Sequence, residues 1–384
     1  MIISNKKTDR ILAIPAFVLL VVAWFIGNQL AESTVTEQIE NHLPDGISVS
    51  YLKEDIFLLE PDSTRYLVNG WGNGYGGKLR SSLVFSKTGE VSNIILTANK
   101  ETPSFIKRLN NKRFLQKIVG LNWESLVQSE NLPDAITGAT LTSQAILVGA
   151  QNAARLYALE ILEKHNLPEA AVRKINWTNQ HTVLIIILVL SSFATRTRIL
   201  HKIRARWILI LFNLIFLGFW TGNQLSIVQF SRITSGEFPP FDQHLFFYLL
   251  LGGSLIFVLG LNKNIYYDRI CPFGAAQECL GALSGTKRTI KYRNNQIRWI
   301  PRILALGLLI LGLIFRHPSS INYEVFSAFF QLVGNSLQFA ILLLVLITSL
   351  FFRRPWCQLL CPVKPVFEYF QTLRNWLSSS IKSK

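Results

Sequence analysis

Charge and sulfur are both scarce in this chain. Only 16% of its 384 residues are Asp, Glu, Lys or Arg, against about 25% in an average soluble domain. Four cysteines in so long a chain exclude a disulfide-rich scaffold. There is no internal repeat, and 49% of the residues are hydrophobic, which excludes collagen, coiled coil and disorder. Acidic residues are outnumbered, 23 against 39 basic, giving a net charge of +16. No helix-turn-helix or other nucleic-acid-reading module accompanies that charge. Much of it sits instead beside apolar runs, the pattern of a membrane protein. The length predicts two or three structural units, and the mean hydropathy is +0.30.

The first apolar run, Ile11–Leu30, follows Lys6, Lys7 and Arg10. A helix of that length crosses about 30 Å of hydrocarbon at about 1.5 Å per residue. A cleaved signal sequence is the competing reading. No small-residue cleavage site follows and the run is long for such a signal, so an uncleaved anchor is expected. Five more apolar segments lie at 177–194, 207–225, 245–261, 299–315 and 328–352. Trp177, Trp207, Trp220 and Trp299 lie near their ends, where an amphipathic ring favours the membrane interface. Lys and Arg number three in 1–10, five in 195–206, eight in 262–302 and six in 353–384, but one each in 226–244 and 316–327. Six spans put all the rich segments on one side, so both termini are expected in the cytoplasm and 31–176 outside.

Residues 31–176 read as a small α+β domain. Strand-like stretches cover 47–59 and 66–68, and a hairpin is expected from 79–86 and 91–97 around Lys87, Thr88, Gly89 and Glu90. Between them, Gly70-Trp71-Gly72-Asn73-Gly74-Tyr75-Gly76-Gly77 permits positive φ or close approach of a backbone or ligand, with a flexible turn as the alternative. Further on, Asp134-Ala135-Ile136-Thr137-Gly138-Ala139-Thr140 precedes an apolar-periodic run over 141–162 that reads as a helix. Small residues leave room for a bulky group on the Thr140 oxygen, and a helix start offers free N–H groups to a phosphate. The same string also suits an ordinary helix cap.

Asp134–Thr140 resembles the flavinylation motif of extracytoplasmic FMN-binding domains. The resemblance implies that a flavin transferase esterifies FMN, through its phosphate, to Thr140, with Asp134, Thr137, Gly138 and Ala139 forming the motif. The Gly-rich strand with Gly76 and Gly77, and Glu101-Thr102-Pro103, also resemble that domain, although Ser104 stands where Gly is more usual. The match covers roughly residues 45–165. Thr142 and Ser143 are nearby hydroxyls, but the motif selects Thr140.

All four cysteines fall in segments expected in the cytoplasm. Cys357 and Cys361, four apart, would share one helix face, a suitable geometry for two ligands of one metal or iron–sulfur cluster. Cys271 and Cys279 lie in the other large loop, 262–298. A disulfide is not expected in a reducing compartment, and small apolar packing residues are the plain alternative. Arg354-Pro355-Trp356-Cys357 with Cys361-Pro362-Val363 resembles the CxxxCP motifs of NosR/PceC-type membrane proteins. Cys271-Pro272-Phe273-Gly274 is similar to the first such motif, but Tyr267 replaces its leading cysteine. The chain lacks the tandem CxxCxxC ferredoxin tail of the longer members, so the shorter architecture is the nearer match. Cys279, eight residues after Cys271, is a candidate substitute ligand, though off the family spacing. His181, His244 and His317, near the outer ends of spans, are weaker candidates for haem or a quinone head group.

The expected architecture is therefore an α+β extracytoplasmic FMN-binding domain (31–176) inserted after the first span (1–30) of a six-helix transmembrane bundle. Five spans fill 177–352, and a Cys-containing cytoplasmic tail covers 353–384. The resemblance implies a membrane electron carrier rather than a stand-alone enzyme. It would pass electrons from the quinol pool or a cytoplasmic donor to FMN and on to an extracytoplasmic reductase. The alternative is a membrane-bound maturation or regulatory factor for such a reductase. Few charged residues lie within the spans, which disfavours a transporter.

Overall fold

The computed structural model describes residues 6–30, 35–44, 46–62, 64–168, 177–196, 203–286, 288–290 and 297–382. The basic stretches 197–202 and 291–296, and the ends of the expected outer domain at 31–34 and 169–176, lie outside the described residues.

An α+β region comes first. After α1 (Lys6–Leu30) and α2 (Val35–Glu40), five strands form an antiparallel meander: β1 (Ser48–Lys53), β2 (Ile56–Glu60), β3 (Tyr66–Asn73), β4 (Lys78–Phe85) and β5 (Val91–Ala98). The stretch 47–59, expected as one strand, is a hairpin. Asp55 takes a left-handed φ of 60° and reverses the chain between β1 and β2. The β4–β5 hairpin forms as expected. Helices α3 (Pro103–Asn111), α4 (Trp123–Gln128) and α5 (Thr140–Glu160) complete the region.

α5 packs on β3 and β4, and the glycine-rich strand makes this possible. A Cβ on Gly70 would overlap the Gly149 carbonyl, and one on Gly72 the Ala145 carbonyl. Ile146, Ala150, Ala153, Ala154 and Tyr157 of α5 are buried with Val68, Leu79, Leu83 and Phe85 of the sheet. Small residues on both partners let helix and strand backbones approach, so the glycines serve helix packing and not a flexible turn. Ile39 of α2 packs with Val49, Phe57, Leu59, Leu67 and Val84 in a second cluster.

A mostly helical region follows: α6 (Asn179–Arg196), α7 (Ile203–Asn213), α8 (Ile227–Thr234), α9 (Leu245–Leu261), α10 (Pro272–Leu283), α11 (Ile300–Ile314), α12 (Phe326–Phe330), α13 (Ser336–Phe351), α14 (Pro355–Leu359) and α15 (Val363–Lys382). Among the described residues, α1 alone is long and apolar enough to cross a membrane. The apolar stretches Asn179–Phe193, Arg206–Trp220, Leu245–Leu261, Ile300–Ile314 and Ser336–Phe351 are shorter.

Two segments differ from the sequence expectation. The run at 207–225 passes into a π-helical stretch, Leu214–Trp220, and residues 221–225 are not helical. The run at 328–352 is broken: α12 stops, Leu332 adopts φ 54°, and Asn335 starts α13 by accepting the Gln338 N–H at 2.8 Å. Hydropathy alone misses this break because the residues on both sides are equally apolar. The tail beyond 353 folds back as α15, packed against α1, α9 and α11.

Candidate functional site

Thr140 is the first residue of α5. Gly138 turns the chain into the helix with φ 83°, a conformation natural to glycine, and Ala139 is buried as the helix cap. Thr140 is exposed, whereas Thr142 and Ser143 are buried. The neighbouring hydroxyls are also occupied: Thr142 donates to Glu101 Oε2, and Ser143 Oγ donates to Ala139 O at 3.0 Å. Thr140 Oγ1 makes only a long contact of 3.4 Å to Ile136 O. Among these three, Thr140 is the hydroxyl a transferase can reach.

The surroundings fit a phosphoester. Arg108, at the end of α3, lies against Gly138; a Cβ there would stand 3.2 Å from the Arg108 Cζ. Its buried Nε has no partner. A guanidinium with an unused donor beside the free N–H groups of a helix start is suited to a phosphate. Sequence reasoning missed Arg108, because 30 residues separate it from Gly138 and its role depends on how α3 docks. Asp134 and Thr137 are exposed on the approach to Gly138.

The other predicted residues act behind this surface. Gly76 and Gly77 form the β3–β4 turn, closed by Gly74 N–H donating to Gly77 O at 2.9 Å. Glu101, 1% exposed, accepts the Gly76 N–H at 2.8 Å as well as the Thr142 hydroxyl. Burial pushes its carboxyl above the usual range, against these bonds and the Arg232 charge. Glu101 thereby ties the glycine turn to the first turn of α5. Thr102 is buried, and its Oγ1 has no partner.

Residues 138–142 open into a cavity of about 120 Å³ with Tyr75 and Phe105. Its opposite wall comes from the helical region, from Thr221 to Gln229 and from Asn322 to Gln331. Polar contacts hold the two walls together. Tyr75 Oη and Ser226 Oγ are 2.7 Å apart, Arg232 Nη1 donates to Gly74 O at 2.7 Å, and Glu237 pairs with Lys100. Arg232, counted from sequence only as a loop charge, is 2% exposed and anchors this joint. Val333 of the helical region packs into the core of the α+β region.

The cysteines are arranged differently. Cys271 caps α10, Cys357 lies in α14, and Cys361 falls beyond the end of α14. Cys357 and Cys361 therefore do not share one continuous helix. Burial pushes the Cys357 thiol up to about 12, reinforced by Cys271; burial also raises Cys361, reinforced by Cys357 and Cys271. These three thiols are near enough to feel one another. Gln277 Nε2 donates to Cys357 Sγ at 3.2 Å. Arg354 donates to the carbonyls of Tyr267 at 2.9 Å and Asp268 at 3.2 Å. Tyr267, in the place of the expected cysteine, has Lys364 Nζ 4.7 Å from its ring centroid. Cys279 is seven peptide steps along α10 from Pro272, roughly 10 Å at the α-helical rise, and is not coupled to the other three.

Comparison with known proteins agrees with both motifs. Residues 74–155 match the FMN-binding domain, and residues 243–291 and 337–380 match a 4Fe-4S binding domain. The chain joins these two domains. It is also distantly homologous to Regulatory protein NosR of Pseudomonas aeruginosa, 25% identical over 201 residues. That match covers 47% of this chain and 27% of NosR, so it spans about a quarter of the relative's length. No solved structure matches.

The residues present fit the two cofactors unequally. Thr140, Arg108 and the joint cavity offer FMN an acceptor hydroxyl, an unused guanidinium donor and aromatic walls. The thiols fall one short of a four-thiolate site. Among the described residues, no three His, Cys, Asp or Glu side chains are grouped to hold a metal ion.

Proposed function

We propose that the chain is a multi-pass membrane flavoprotein carrying FMN as a phosphoester on Thr140 at the outer face. It takes electrons from the quinol pool or a cytoplasmic donor and passes them to an extracytoplasmic reductase. The observation that carries this reading is the exposed Thr140 at the head of α5, with the unpartnered Arg108 Nε against the neighbouring Gly138. FMN supplies one- and two-electron chemistry when bound. The protein's own part is to present the hydroxyl, hold the phosphate and receive one edge of the ring between the two regions.

Six spans with both termini cytoplasmic remain the best account of the charge pattern. Outward-facing apolar side chains support it: Phe17 on α1, Phe193 on α6, Ile256 on α9, Ile303 on α11 and Leu343 on α13 are each more than half exposed. Such a belt is suited to lipid. The shorter helices reach across a hydrocarbon layer by local thinning or with their flanking residues.

Cys271, Cys357 and Cys361 are the proposed iron–sulfur ligands, and Cys279 is outside that set. Because a fourth thiolate is lacking, no electron step is assigned to them. Their position bears on the route nonetheless. Phe326 lines the flavin cavity, and its ring centroid is 6.3 Å from that of Trp356, the chain neighbour of Cys357. Phe326 belongs to the segment expected outside and Trp356 to the tail expected in the cytoplasm, so this contact requires one of the two to re-enter the bundle.

The test is intact mass and in-gel flavin fluorescence on protein co-expressed with a flavin transferase, followed by electron delivery to the outer acceptor. Wild type should gain the mass of FMN less water, and Thr140→Val should not. If Thr140→Val still delivers electrons, covalent FMN is not on the path. The second reading, a maturation or regulatory factor, is favoured by the relative's description as a regulatory protein. It predicts that deletion of this protein leaves the partner reductase unassembled, whereas the electron-carrier reading predicts an assembled reductase starved of electrons.

A further inference from the structure

The helical region lines half of the cavity at Thr140 with carboxamide side chains: Asn223, Gln224, Gln229, Asn322 and Gln331. Two of them are committed to the backbone. Gln229 Oε1 accepts the Ser226 N–H at 3.2 Å, and Asn322 Oδ1 accepts the Glu324 N–H at 3.2 Å. Gln224 differs. It is 9% exposed, it lines the cavity, and its buried Oε1 has no hydrogen-bond partner. A buried amide oxygen without a donor is unfavourable, so its retention points to a donor that arrives with a ligand.

The cavity's chemistry narrows that ligand. Tyr75, Phe105 and Phe326 line it with aromatic rings, suited to a flat ring. The nearby carboxylate of Glu324 is already occupied, accepting the Ile227 N–H at 3.1 and 3.2 Å. What remains free is neutral amide. An amide pairs a donor with an acceptor, matching the pyrimidine edge of an isoalloxazine, where a ring N–H lies between two carbonyls.

We propose that Gln224, with Gln331 across the cavity, is the wall that recognises the pyrimidine edge of the flavin. The helical region, and not the FMN-binding domain alone, then sets the flavin's reduction potential. This rests on the reading that Thr140 carries FMN. The two regions are consequently one cofactor site, and their joint at Arg232 and Ser226 belongs to it.

The experiment uses the full chain co-expressed with a flavin transferase. Wild type, Gln224→Met and Gln331→Leu are compared by intact mass, visible absorption and redox titration. All three should carry covalent FMN, since Thr140 is untouched. Gln224→Met should change the relative affinity for the oxidised and reduced flavin by about tenfold, a midpoint shift of about 30 mV for a two-electron couple, with a changed absorption envelope. Gln331→Leu should change both less. Unchanged potential and spectrum in both variants, with FMN attached, overturns the proposal. So does loss of attachment in both. Absence of the FMN mass in wild type overturns the underlying reading itself, and the mass measurement tells the two failures apart.

Discussion

The α+β region and the helical region handle their reactive residues in opposite ways. The first holds Thr140 exposed at the head of a helix, with Arg108 and a closed glycine turn arranged around it. The second buries Cys357 and Cys361 in an aromatic core, each on a different structural element from Cys271. A hydroxyl that must meet an external transferase needs accessibility, and one short motif on one helix start can supply it. A four-ligand site needs several elements to converge, so one replaced residue, Tyr267, leaves it short. The contrast is between a proposed flavin attachment that needs one reachable hydroxyl and a thiol site that needs four converging ligands.

Four experiments would break or sharpen that contrast. The largest effect is expected at the exposed hydroxyl: Thr140→Val should abolish covalent FMN by intact mass. Thr142→Val should retain it, losing only the bond to Glu101 and roughly 1–3 kcal/mol of stability. Attachment lost equally in both would dissolve the distinction between exposed and buried hydroxyls.

Next is the packing that supports Thr140. Gly72→Ala drives a methyl into the Ala145 carbonyl of α5. It should cost about 3 kcal/mol, seen as a lower unfolding temperature in the α+β region. Gly252→Ala in α9, where a Cβ would meet nothing within 4 Å, should cost far less. Equal effects would mean that the glycines of β3 are not there for close packing.

The joint between the regions should respond to pH through His244. Burial, with help from Arg232 and against Asp242, lowers its imidazole from 6.5 to about 4. The unfolded chain therefore binds this proton first as pH falls. The corresponding stability is present above about pH 6.5, is lost as pH falls toward 4, and levels off below that, a change of up to about 3 kcal/mol. Thermal unfolding of detergent-solubilised protein from pH 7.5 to 4 measures it. His244→Asn should flatten this component, and an unaltered slope would assign it to other groups.

The smallest effect sharpens the thiol side. Tyr267→Cys restores the leading cysteine beside Cys271. It should raise iron and acid-labile sulfide per chain severalfold in anaerobically purified protein, and Cys357→Ser should remove the gain. No increase would show that the missing ligand is not what limits this site.

Much of the α+β region was legible in the sequence because its signals are local. The β4–β5 hairpin and the helix after Thr140 follow from neighbouring residues, whereas the partner of the β3 glycines, α5, lies more than 70 residues on. The misreadings share a cause. Residues 47–59 look like one strand until Asp55 turns left-handed, and 328–352 looks like one helix until Asn335 caps a new one. In both, apolar stretches flank the break, and the few polar residues that mark it, Lys53-Glu54-Asp55 and Gly334-Asn335, are easily passed over. Arg108, Gln224 and Arg232 were invisible as site residues, since nothing near them in sequence marks a ligand.

What the sequence determined by itself is the chemistry at hand: a flavinylation-like motif ending in Thr140, cysteines in two separated segments, and apolar runs flanked by one-sided positive charge. These depend on residue type and spacing over a turn or two of chain. Only the tertiary structure decided which hydroxyl is exposed, which cysteines interact, and that the cavity at Thr140 is shared between two regions. Those outcomes depend on docking between elements 80 or more residues apart, as between Gly138 and Val333. Burial and long-range contact are properties of the packed molecule and leave no local trace in the chain.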